Sequence, residues 1–254
     1  MDTPRPFFFI KKWPVFYEDN HLLVLYKPAG LLVQADQTKD ASLLALAKTW
    51  LKNRYQKPGR VYLGLVHRLD RPVAGVMLFA RTSKAAGRLS EQFRTGSVEK
   101  KYTAVVEGIV SQPSGRLVHP LERINGKSSR IMAVPTPKTR EARLSYQVLD
   151  TGQSKSLVEI DLETGRHHQI RAQFAHMGHP VVGDLRYGAA KPLPDKQIAL
   201  CATGLSVIHP TLNETQRFVT PYPEGWPWPK TGDSQDAPPW NWSALFPEIK
   251  PYIV

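Results

Sequence analysis

The sequence predicts an α+β fold built on a mixed, largely antiparallel sheet. Two observations favour this class: strand-like segments arrive in clusters, and helical segments are interspersed between them irregularly. The regular strand–helix alternation of a parallel sheet is not visible, and the chain has no internal repeat. With 254 residues, of which 41% are hydrophobic and 22% are charged, the chain is long enough to bury a sizeable core.

The first part of the chain combines short strands with two helices. A β-rich run that ends in proline and glycine predicts a strand over 21–30, and the continuous apolar run "GVMLFAR" predicts a buried strand over 75–81. Apolar residues at helical spacing predict a helix over 41–55. A second helix is predicted over 82–96, because Thr and Ser provide a cap-type start and a glycine provides the stop.

Further along the chain, strand patterns predominate. The helical spacing of "HHQIRAQFAHMG" predicts one more helix, opened by His167. We expect strands over 101–110, 142–150 and 155–162, a helix over 167–178, and a strand or strand pair over 197–208.

The C-terminal segment has a different composition. Eight of the 22 prolines and four of the six tryptophans fall in 221–254, and this density of proline excludes regular helix or central strand. We therefore divide the chain into a main domain over 1–220 and a Pro/Trp-rich tail over 221–254. We expect the tail to pack its tryptophans onto the domain, with stacking on nucleic-acid bases as the alternative.

Charge and cysteine content restrict the partner and the compartment. The chain has 34 Lys and Arg residues against 22 Asp and Glu residues, and the resulting net charge of +12 favours a polyanionic partner, above all nucleic acid. Cys201 is the single cysteine, so an intramolecular disulfide and a Cys-rich zinc site are excluded and a reducing compartment is favoured. No apolar run is long enough for a membrane span or a signal peptide. We expect a cytoplasmic protein that does not bind membranes.

The sequence contains no complete cofactor motif. Four histidines cluster between positions 167 and 179, but neither a zinc-binding H-E-x-x-H motif nor a cysteine partner accompanies them. Both glycine-rich phosphate-loop patterns and the G-x-S-x-G motif of serine hydrolases are also missing from the sequence. We therefore expect no metal and no nucleotide cofactor, and a histidine-site metallohydrolase remains only a weak alternative. The histidines in question are His167, His168, His176 and His179.

Acidic and arginine side chains are the remaining candidates for chemistry. In "HRLDR", Asp70 lies between Arg68 and Arg71, just before the predicted buried strand, and "ETGRHHQIRAQ" supplies Arg166 and Arg171. An arginine partner keeps a poorly hydrated carboxylate ionised, as a nucleophile or base requires. On these residues alone, a purely structural Arg–Asp pair is favoured over a catalytic one, because structural ion pairs also perturb carboxylates, and the catalytic interpretation stays open.

Five motifs in a fixed order resemble the RluA family of RNA pseudouridine synthases. The resemblance covers roughly residues 15–210, and its specificity comes from the order of the motifs. They read "KPAG" (27–30), "HRLDRPVAGVMLFA" (67–80), "KKYTAVVEG" (100–108), "TGRHHQIR" (164–171) and "GHPVVGDLRYG" (178–188).

The resemblance implies both a fold and residue roles. It implies a sheet with flanking helices around a central RNA-binding cleft, with no cofactor and no metal. Asp70 matches the catalytic aspartate that acts covalently on the uridine, Tyr102 the active-site tyrosine, and Arg171 the arginine that pairs with the aspartate. Attack at C1′, addition at C6 and abstraction of the 2′ proton all stay open for Asp70. We expect four further side chains to bind substrate: His67, Arg68, Arg166 and His168.

The sequence also departs from the family pattern. Val73 and Ala74 stand where Thr and Ser are common, and His167 stands where Thr or Ser is usual. Only a short segment precedes the core, so we expect no N-terminal S4 RNA-binding domain. The resemblance thus implies a pseudouridine synthase acting on structured RNA, with rRNA ahead of tRNA. We expect the protein to be a monomer. A catalytically silent RNA-binding protein of the same fold is the alternative.

Overall fold

The computed structural model describes residues 8–10, 13–37, 40–194, 197–220, 222–223 and 225–228. These residues form two compact units. The first contains the described residues up to Val98 and those of Thr203–Gly225, and the second contains Glu99–Ala202 with 226–228. In sequence, the second unit is therefore inserted between two parts of the first. Most of the predicted tail, from residue 229 onward, lies outside the described residues.

Short strands outnumber helices throughout the described residues, as expected for an α+β protein. The elements are β1 (Phe8–Ile10), β2 (Trp13–Glu18), β3 (Leu22–Lys27), α1 (Leu43–Arg54), β4 (Gly64–Leu65), β5 (Ala74–Ala80), α2 (Ser83–Thr95), β6 (Glu99–Glu107), β7 (Ser114–Ile124), β8 (Ser128–Ile131), β9 (Arg140–Thr151), β10 (Lys155–Leu162), α3 (Gln169–His176), a 3-10 turn (Leu185–Tyr187), β11 (Leu200–Ile208) and β12 (Thr215–Val219).

The first unit is organised around two fully buried strands. Strand β3 pairs with β2 on one side and β5 on the other, β1 pairs with β2, and β4 pairs with β5, all antiparallel. Every residue of β3 and of β5 is buried, which explains their continuous apolar sequences. Side chains of β11, β12 and α2 pack with them into one hydrophobic cluster: Leu22, Val24, Val76, Leu78, Ala80, Ala85, Leu89, Val98, Leu205, Val207 and Phe218.

Local signals define the ends of the two helices in this unit. The Ser42 hydroxyl accepts a hydrogen bond from the Ala45 N–H (3.4 Å) and caps α1, and the Thr82 hydroxyl caps α2 through the Ala85 N–H (3.1 Å). Helix α2 ends at Gly96, whose φ of 78° lies in the left-handed region. The predicted helices over 41–55 and 82–96 are confirmed.

The second unit is an antiparallel sheet with α3 packed against β7 and β8. Strand β10 lies between β6 and β9, β9 pairs in turn with β7, and β7 pairs with β8. A tight turn joins β7 to β8: Asn125 and Gly126 both have positive φ values, 47° and 69°, which match the twist of a hairpin. The mixed, largely antiparallel α+β class is confirmed.

Three local predictions need correction or completion. Helix α3 begins at Gln169, slightly later than predicted, because His168 adopts a left-handed conformation (φ 53°) that cannot continue as a helix. The possible strand pair over 197–208 is the single strand β11. Strands β7 and β8 fall in a stretch for which the sequence predicted no element, since their exposed positions leave no continuous apolar run.

The predicted packing of the tail tryptophans is confirmed for the two that the structure describes. Cys201 is fully buried, as is typical of a small apolar residue. Trp226 and Trp228 are also buried, and the Trp228 indole N–H donates to the Asp150 carboxylate (3.2 Å). The other two tryptophans of the predicted tail lie outside the described residues. In the described part of the chain, no helix combines the length and the apolar character needed to cross a membrane.

Candidate active site

Asp70 lies in the loop that connects the antiparallel strands β4 and β5. Its neighbours Leu69 and Val73 are buried and anchor the loop, while Asp70 itself is half-buried. The Val73 N–H donates to the Asp70 carbonyl (3.0 Å) and closes a turn directly before β5. The backbone therefore fixes the place of Asp70 but leaves part of the residue accessible.

The buried side chain of Lys27 anchors this turn through hydrogen bonds to its backbone. Lys27 is the last residue of β3 and is completely buried. Its ammonium donates to the carbonyls of Pro28 (2.9 Å), Arg71 (3.1 Å) and Val73 (2.6 Å). A buried ammonium is costly unless its three donors find acceptors, and these three carbonyls satisfy all of them. Because two of the carbonyls belong to the turn of Asp70, Lys27 ties that turn to the sheet.

Gly30 adds a second connection between the "KPAG" and "HRLD" motifs. Its N–H donates to the Arg71 carbonyl (2.8 Å), and the Arg71 Nε–H donates back to the Gly30 carbonyl (2.8 Å). Gly30 has a φ of 82°, a left-handed conformation that glycine adopts without strain. Arg71 also forms an exposed ion pair with Asp40 (2.9 Å). The two motifs, which are far apart in sequence, thus form one structural assembly.

His67 and Arg68 occupy different environments in the same loop. The His67 Nε2 accepts a hydrogen bond from the Leu78 N–H (2.9 Å), and its ring stacks on Phe93 with centroids 4.9 Å apart. Because Nε2 is an acceptor, a neutral His67 ring carries its proton on Nδ1. Arg68 is exposed. His67 therefore joins the loop to β5 and α2, whereas Arg68 extends toward solvent.

Arg171, in the second unit, forms a buried ion pair with Asp184. The guanidinium donates from Nε to Oδ2 (2.6 Å) and from Nη2 to Oδ1 (2.8 Å), and the two side chains are only 5% and 2% exposed. Bidentate contact of this kind fixes the plane of the guanidinium as well as its position. It uses two of the five N–H donors of the arginine.

Tyr187 connects Arg171 to His168. The Arg171 guanidinium lies over the Tyr187 ring, 5.0 Å from its centroid, and the Tyr187 hydroxyl is 2.9 Å from the His168 Nδ1. The same hydroxyl accepts a hydrogen bond from the Ser129 N–H (2.8 Å) in β8. Burial, and after it the positive charge of Arg171, lowers the pKa of His168 to about 2. His168 is therefore neutral at physiological pH.

Gln169 organises the backbone that leads into α3. Its buried side-chain Oε1 accepts from the Thr164 hydroxyl (2.8 Å) and from the Arg166 N–H (3.0 Å), and its Nε2 donates to the Arg143 carbonyl (3.0 Å). Arg166 is exposed, and its Nε–H donates to the Glu141 carbonyl (3.0 Å).

Tyr102 also belongs to the second unit. It is half-buried in β6 and lies opposite Ile160 in the pairing of β6 with β10.

The clustered histidines have other neighbours. His167 and His168 stack on each other with centroids 3.8 Å apart, and His176 meets His119 edge-on at 5.2 Å. The His179 Nδ1 lies 2.9 Å from the Glu107 carbonyl. Within the part of the chain that the structure describes, no three His, Cys, Asp or Glu side chains group as metal ligands.

The predicted site residues fall into two local groups. His67, Arg68 and Asp70 share one loop of the first unit. Arg166, His168 and Arg171 lie at the start of α3 or just before it, in the second unit. Tyr102 belongs to the same unit but lies in β6. Four residues that fix these groups received no role from the sequence alone: Lys27, Gln169, Asp184 and Tyr187. All four are polar residues inside the quoted motifs, and this position is the signal that could have identified them.

Comparisons with known proteins agree with this arrangement of motifs. The family model described as RNA pseudouridylate synthase matches residues 21–176. The chain is 32% identical over 210 residues to an uncharacterized RNA pseudouridine synthase, YhcT, of Bacillus subtilis, covering 82% of this chain and 68% of the relative. It is 35% identical over 223 residues to the ribosomal large subunit pseudouridine synthase D of Xanthomonas campestris, covering 83% and 66%.

Solved structures are similar as well. The human RNA pseudouridylate synthase domain containing 4 matches with a TM-score of 0.69 at 25% identity, over 82% of this chain and 88% of that one. The chain belongs to the RNA pseudouridylate synthase family. It is accordingly an isomerase that converts uridine to pseudouridine in RNA, of the RluA type that the ordered motifs indicated.

Proposed function

We propose that this pseudouridine synthase modifies uridine in large-subunit ribosomal RNA. Relatives named as ribosomal large subunit pseudouridine synthases are among the matches to this chain, and they support ribosomal RNA as its substrate. A net charge of +12 suits a large polyanionic substrate, because cationic side chains that neutralise phosphates release counterions.

The proposed reaction needs no redox partner. The C1′–N1 glycosidic bond of uridine breaks, the uracil rotates, and a C1′–C5 bond forms; the proton on C5 leaves and N1 gains one. We assign Asp70 as the nucleophile of this isomerisation. Its turn supports the assignment, since a backbone fixed by Lys27 and closed by Val73 holds the carboxylate in a reproducible place without burying it.

Tyr102 and Arg171 are the two further catalytic residues of the proposal. Tyr102 stacks near the uracil and accepts the proton from C5. Its half-buried position in β6, paired with β10, supports this role because the strand pairing fixes its backbone. The family resemblance pairs Arg171 with the catalytic aspartate, and we assign it the role of keeping that carboxylate ionised through its positive charge. The bidentate contact with Asp184 supports this role, because it prevents the guanidinium from rotating.

The four substrate-binding residues divide by exposure. Arg68 and Arg166 are exposed and suit contact with phosphate or an unpaired base. His67 and His168 are held by neighbouring groups and would contact RNA as neutral rings. We propose that Arg68, or His67 beside it, fills the gap left when the target uridine leaves its stack. An Arg68→Ala protein with normal RNA affinity and deficient turnover would contradict that role.

Tritium release tests the proposal. RNA labelled with 5-³H-uridine, as separate rRNA and tRNA pools, is incubated with wild type, with Asp70→Asn and with the control Asp161→Asn, which changes an exposed aspartate of β10. We expect release from the rRNA pool with wild type and with Asp161→Asn, and none with Asp70→Asn. Release from tRNA alone would replace the rRNA assignment. No release from any pool would favour a silent RNA-binding protein.

We also propose that the enzyme acts in the cytoplasm as a monomer. The single buried cysteine, Cys201, supports the cytoplasmic location, because it suits a reducing compartment. Sedimentation at working concentration tests the monomeric state: a single species of about twice the chain's 28.6 kDa would contradict it.

A further inference from the structure

A surface of the first unit concentrates positive charge outside the five family motifs. The segment 48–60, "KTWLKNRYQKPGR", contains five of the chain's Lys and Arg side chains and none of its Asp and Glu side chains. Its first part forms the last two turns of α1, and the remainder is the loop that follows. We call residues 48–62 the cationic surface.

The charges of the cationic surface are directed to solvent. Lys52, Arg54, Lys57 and Arg60 are exposed, while Leu51 of the same helix is buried and fixes the opposite face in the core. Arg54 pairs with Glu18 of β2, but no ion pair between Lys52, Lys57 or Arg60 and a carboxylate occurs among the described residues. This end of α1 therefore retains a local excess of positive charge.

Arg54 is already oriented in this arrangement. Its Nε lies 3.3 Å from the Glu18 carboxylate, and its guanidinium lies 5.2 Å from the Trp50 ring centroid. Arg81 and the Tyr55 hydroxyl also donate to Glu18, at 2.9 and 2.6 Å. The Glu18 side chain is only 11% exposed, whereas that of Arg54 is 45% exposed. The mostly buried Glu18 carboxylate therefore orients the Arg54 guanidinium and leaves part of it in contact with water. A guanidinium held in this way loses little entropy when it binds a phosphate.

Two exposed tyrosines lie within the cationic surface. Tyr55 is 46% exposed and Tyr62 is 49% exposed, although large aromatic side chains usually bury most of their surface. The ammonium of Lys57 lies 5.9 Å from the Tyr55 ring centroid. Exposed aromatic rings among cations are typical of surfaces that contact a nucleic-acid strand, where cations neutralise phosphates and rings contact sugars or bases.

We propose that the cationic surface binds the phosphate backbone of the substrate RNA and supplies affinity that the motif residues do not. This proposal rests on the proposed action on RNA. The contacts are independent of base sequence, because lysine and arginine side chains without a fixed base partner recognise charge. The surface therefore affects binding and salt dependence and leaves the rate of the bound complex unchanged.

A matched pair of triple variants tests the proposal. Lys52→Ala/Lys57→Ala/Arg60→Ala removes three exposed cations of the cationic surface. Lys84→Ala/Lys138→Ala/Lys191→Ala removes three exposed lysines from elsewhere and changes the net charge equally. RNA Kd is measured between 0.05 and 0.3 M salt (about the range in which phosphate contacts dominate), together with kcat and KM for tritium release. Equal thermal midpoints establish that both variants fold.

We expect the first variant to raise Kd and KM about 10-fold to 100-fold at low salt, to reduce the slope of log Kd against log salt by about 2, and to keep kcat. The control variant should change each quantity far less. Equal Kd and salt slope in the two variants would overturn the proposal. So would unchanged RNA binding together with lost binding to anionic phosphatidylserine vesicles, which would assign the surface to a membrane. If wild type itself releases no tritium from any RNA, the proposed function fails, and Kd for RNA still decides the role of the surface.

Discussion

Arg171 and Asp184 form a bidentate ion pair in which both side chains are almost completely removed from water. The pair joins α3 to the segment "GHPVVGDLRYG", which is itself attached to β6 through the bridge between Val106 and Val181. In a buried pair of this kind, each charge depends on its partner, because neither has water to replace it.

We expect Asp184→Asn to destabilise the protein strongly and to lower kcat. The substitution leaves the buried guanidinium without its counter-charge, at a cost of about 3–5 kcal/mol. Urea unfolding measures the stability, and tritium release at saturating RNA measures kcat. Glu91→Gln is the control, since it breaks an exposed Arg94–Glu91 pair and should change neither quantity. A stable Asp184→Asn protein with normal kcat would show that Asp184 does not position Arg171.

Lys27→Met should also reduce both stability and turnover. Methionine keeps most of the side-chain volume but removes the donors to three carbonyls, two of them in the turn of Asp70. Hydrogen bonds from charged donors are worth about 1.5–3 kcal/mol each, so we expect a loss of about 2–5 kcal/mol after relaxation. A positioning role predicts that kcat falls at temperatures where the variant stays folded, while KM changes little. Lys84→Met, at an exposed site, should leave kcat and the unfolding free energy unchanged.

His168 should make the protein less stable as the pH falls below the ordinary histidine pKa. Its folded pKa lies at about 2, far below the value of 6.5 for an ordinary histidine, so between these limits the unfolded chain binds a proton that the folded chain does not. The contribution of His168 is complete above pH 6.5 and declines at lower pH by up to about 1.4 kcal/mol per unit.

Urea titrations of wild type and His168→Asn at pH 7, 6, 5 and 4 measure this effect. Asparagine tolerates the left-handed conformation of residue 168 and does not titrate. The difference in unfolding free energy between the two proteins should therefore shrink as the pH falls. Parallel curves would contradict a neutral, buried His168.

Gly183→Ala should destabilise the segment that carries Asp184. A Cβ at this position would lie 2.8 Å from the Leu193 Cγ and 3.0 Å from the Gln197 carbonyl oxygen, and the φ of 87° is unfavourable for alanine. We expect a loss of about 2–4 kcal/mol and a lower thermal midpoint. Gly87→Ala, in α2, meets no atom within 4 Å and should raise the midpoint slightly, because alanine favours helix. Equal midpoints for the two variants would be inconsistent with this geometry.

The elements that the sequence predicted are those in which local pattern and burial coincide. Every residue of strand β5 is buried, and α2 has a capping threonine and a terminal glycine. Strand β7 was not predicted, because its residues alternate between exposed and half-buried and include a proline. A pattern read from one sequence identifies elements that bury a complete face and overlooks those that bury only part of one.

The candidate site shows the same division. Asp70 and Arg171 were candidates because acidic and basic side chains suggest chemistry, and the family resemblance then added Tyr102 and implied a role for each of the three. Lys27 was not, because two of its three acceptors, the carbonyls of Arg71 and Val73, lie far along the chain and become neighbours only after folding. The residues proposed for chemistry have a recognisable type, whereas the role of a supporting residue such as Lys27 follows from its contacts in the fold.

The composition of the first hydrophobic cluster has a consequence for synthesis on the ribosome. Leu22 and Val24 emerge early, but Leu205, Val207 and Phe218 of the same cluster emerge only after residues Glu99–Ala202 of the second unit have been made. At about 5–20 residues per second, the nascent chain carries an incomplete core for roughly ten seconds or more. The cluster that buries β3 and β5 is thus begun early and completed late, and during this interval these two strands lack part of the apolar surface that covers them in the finished protein.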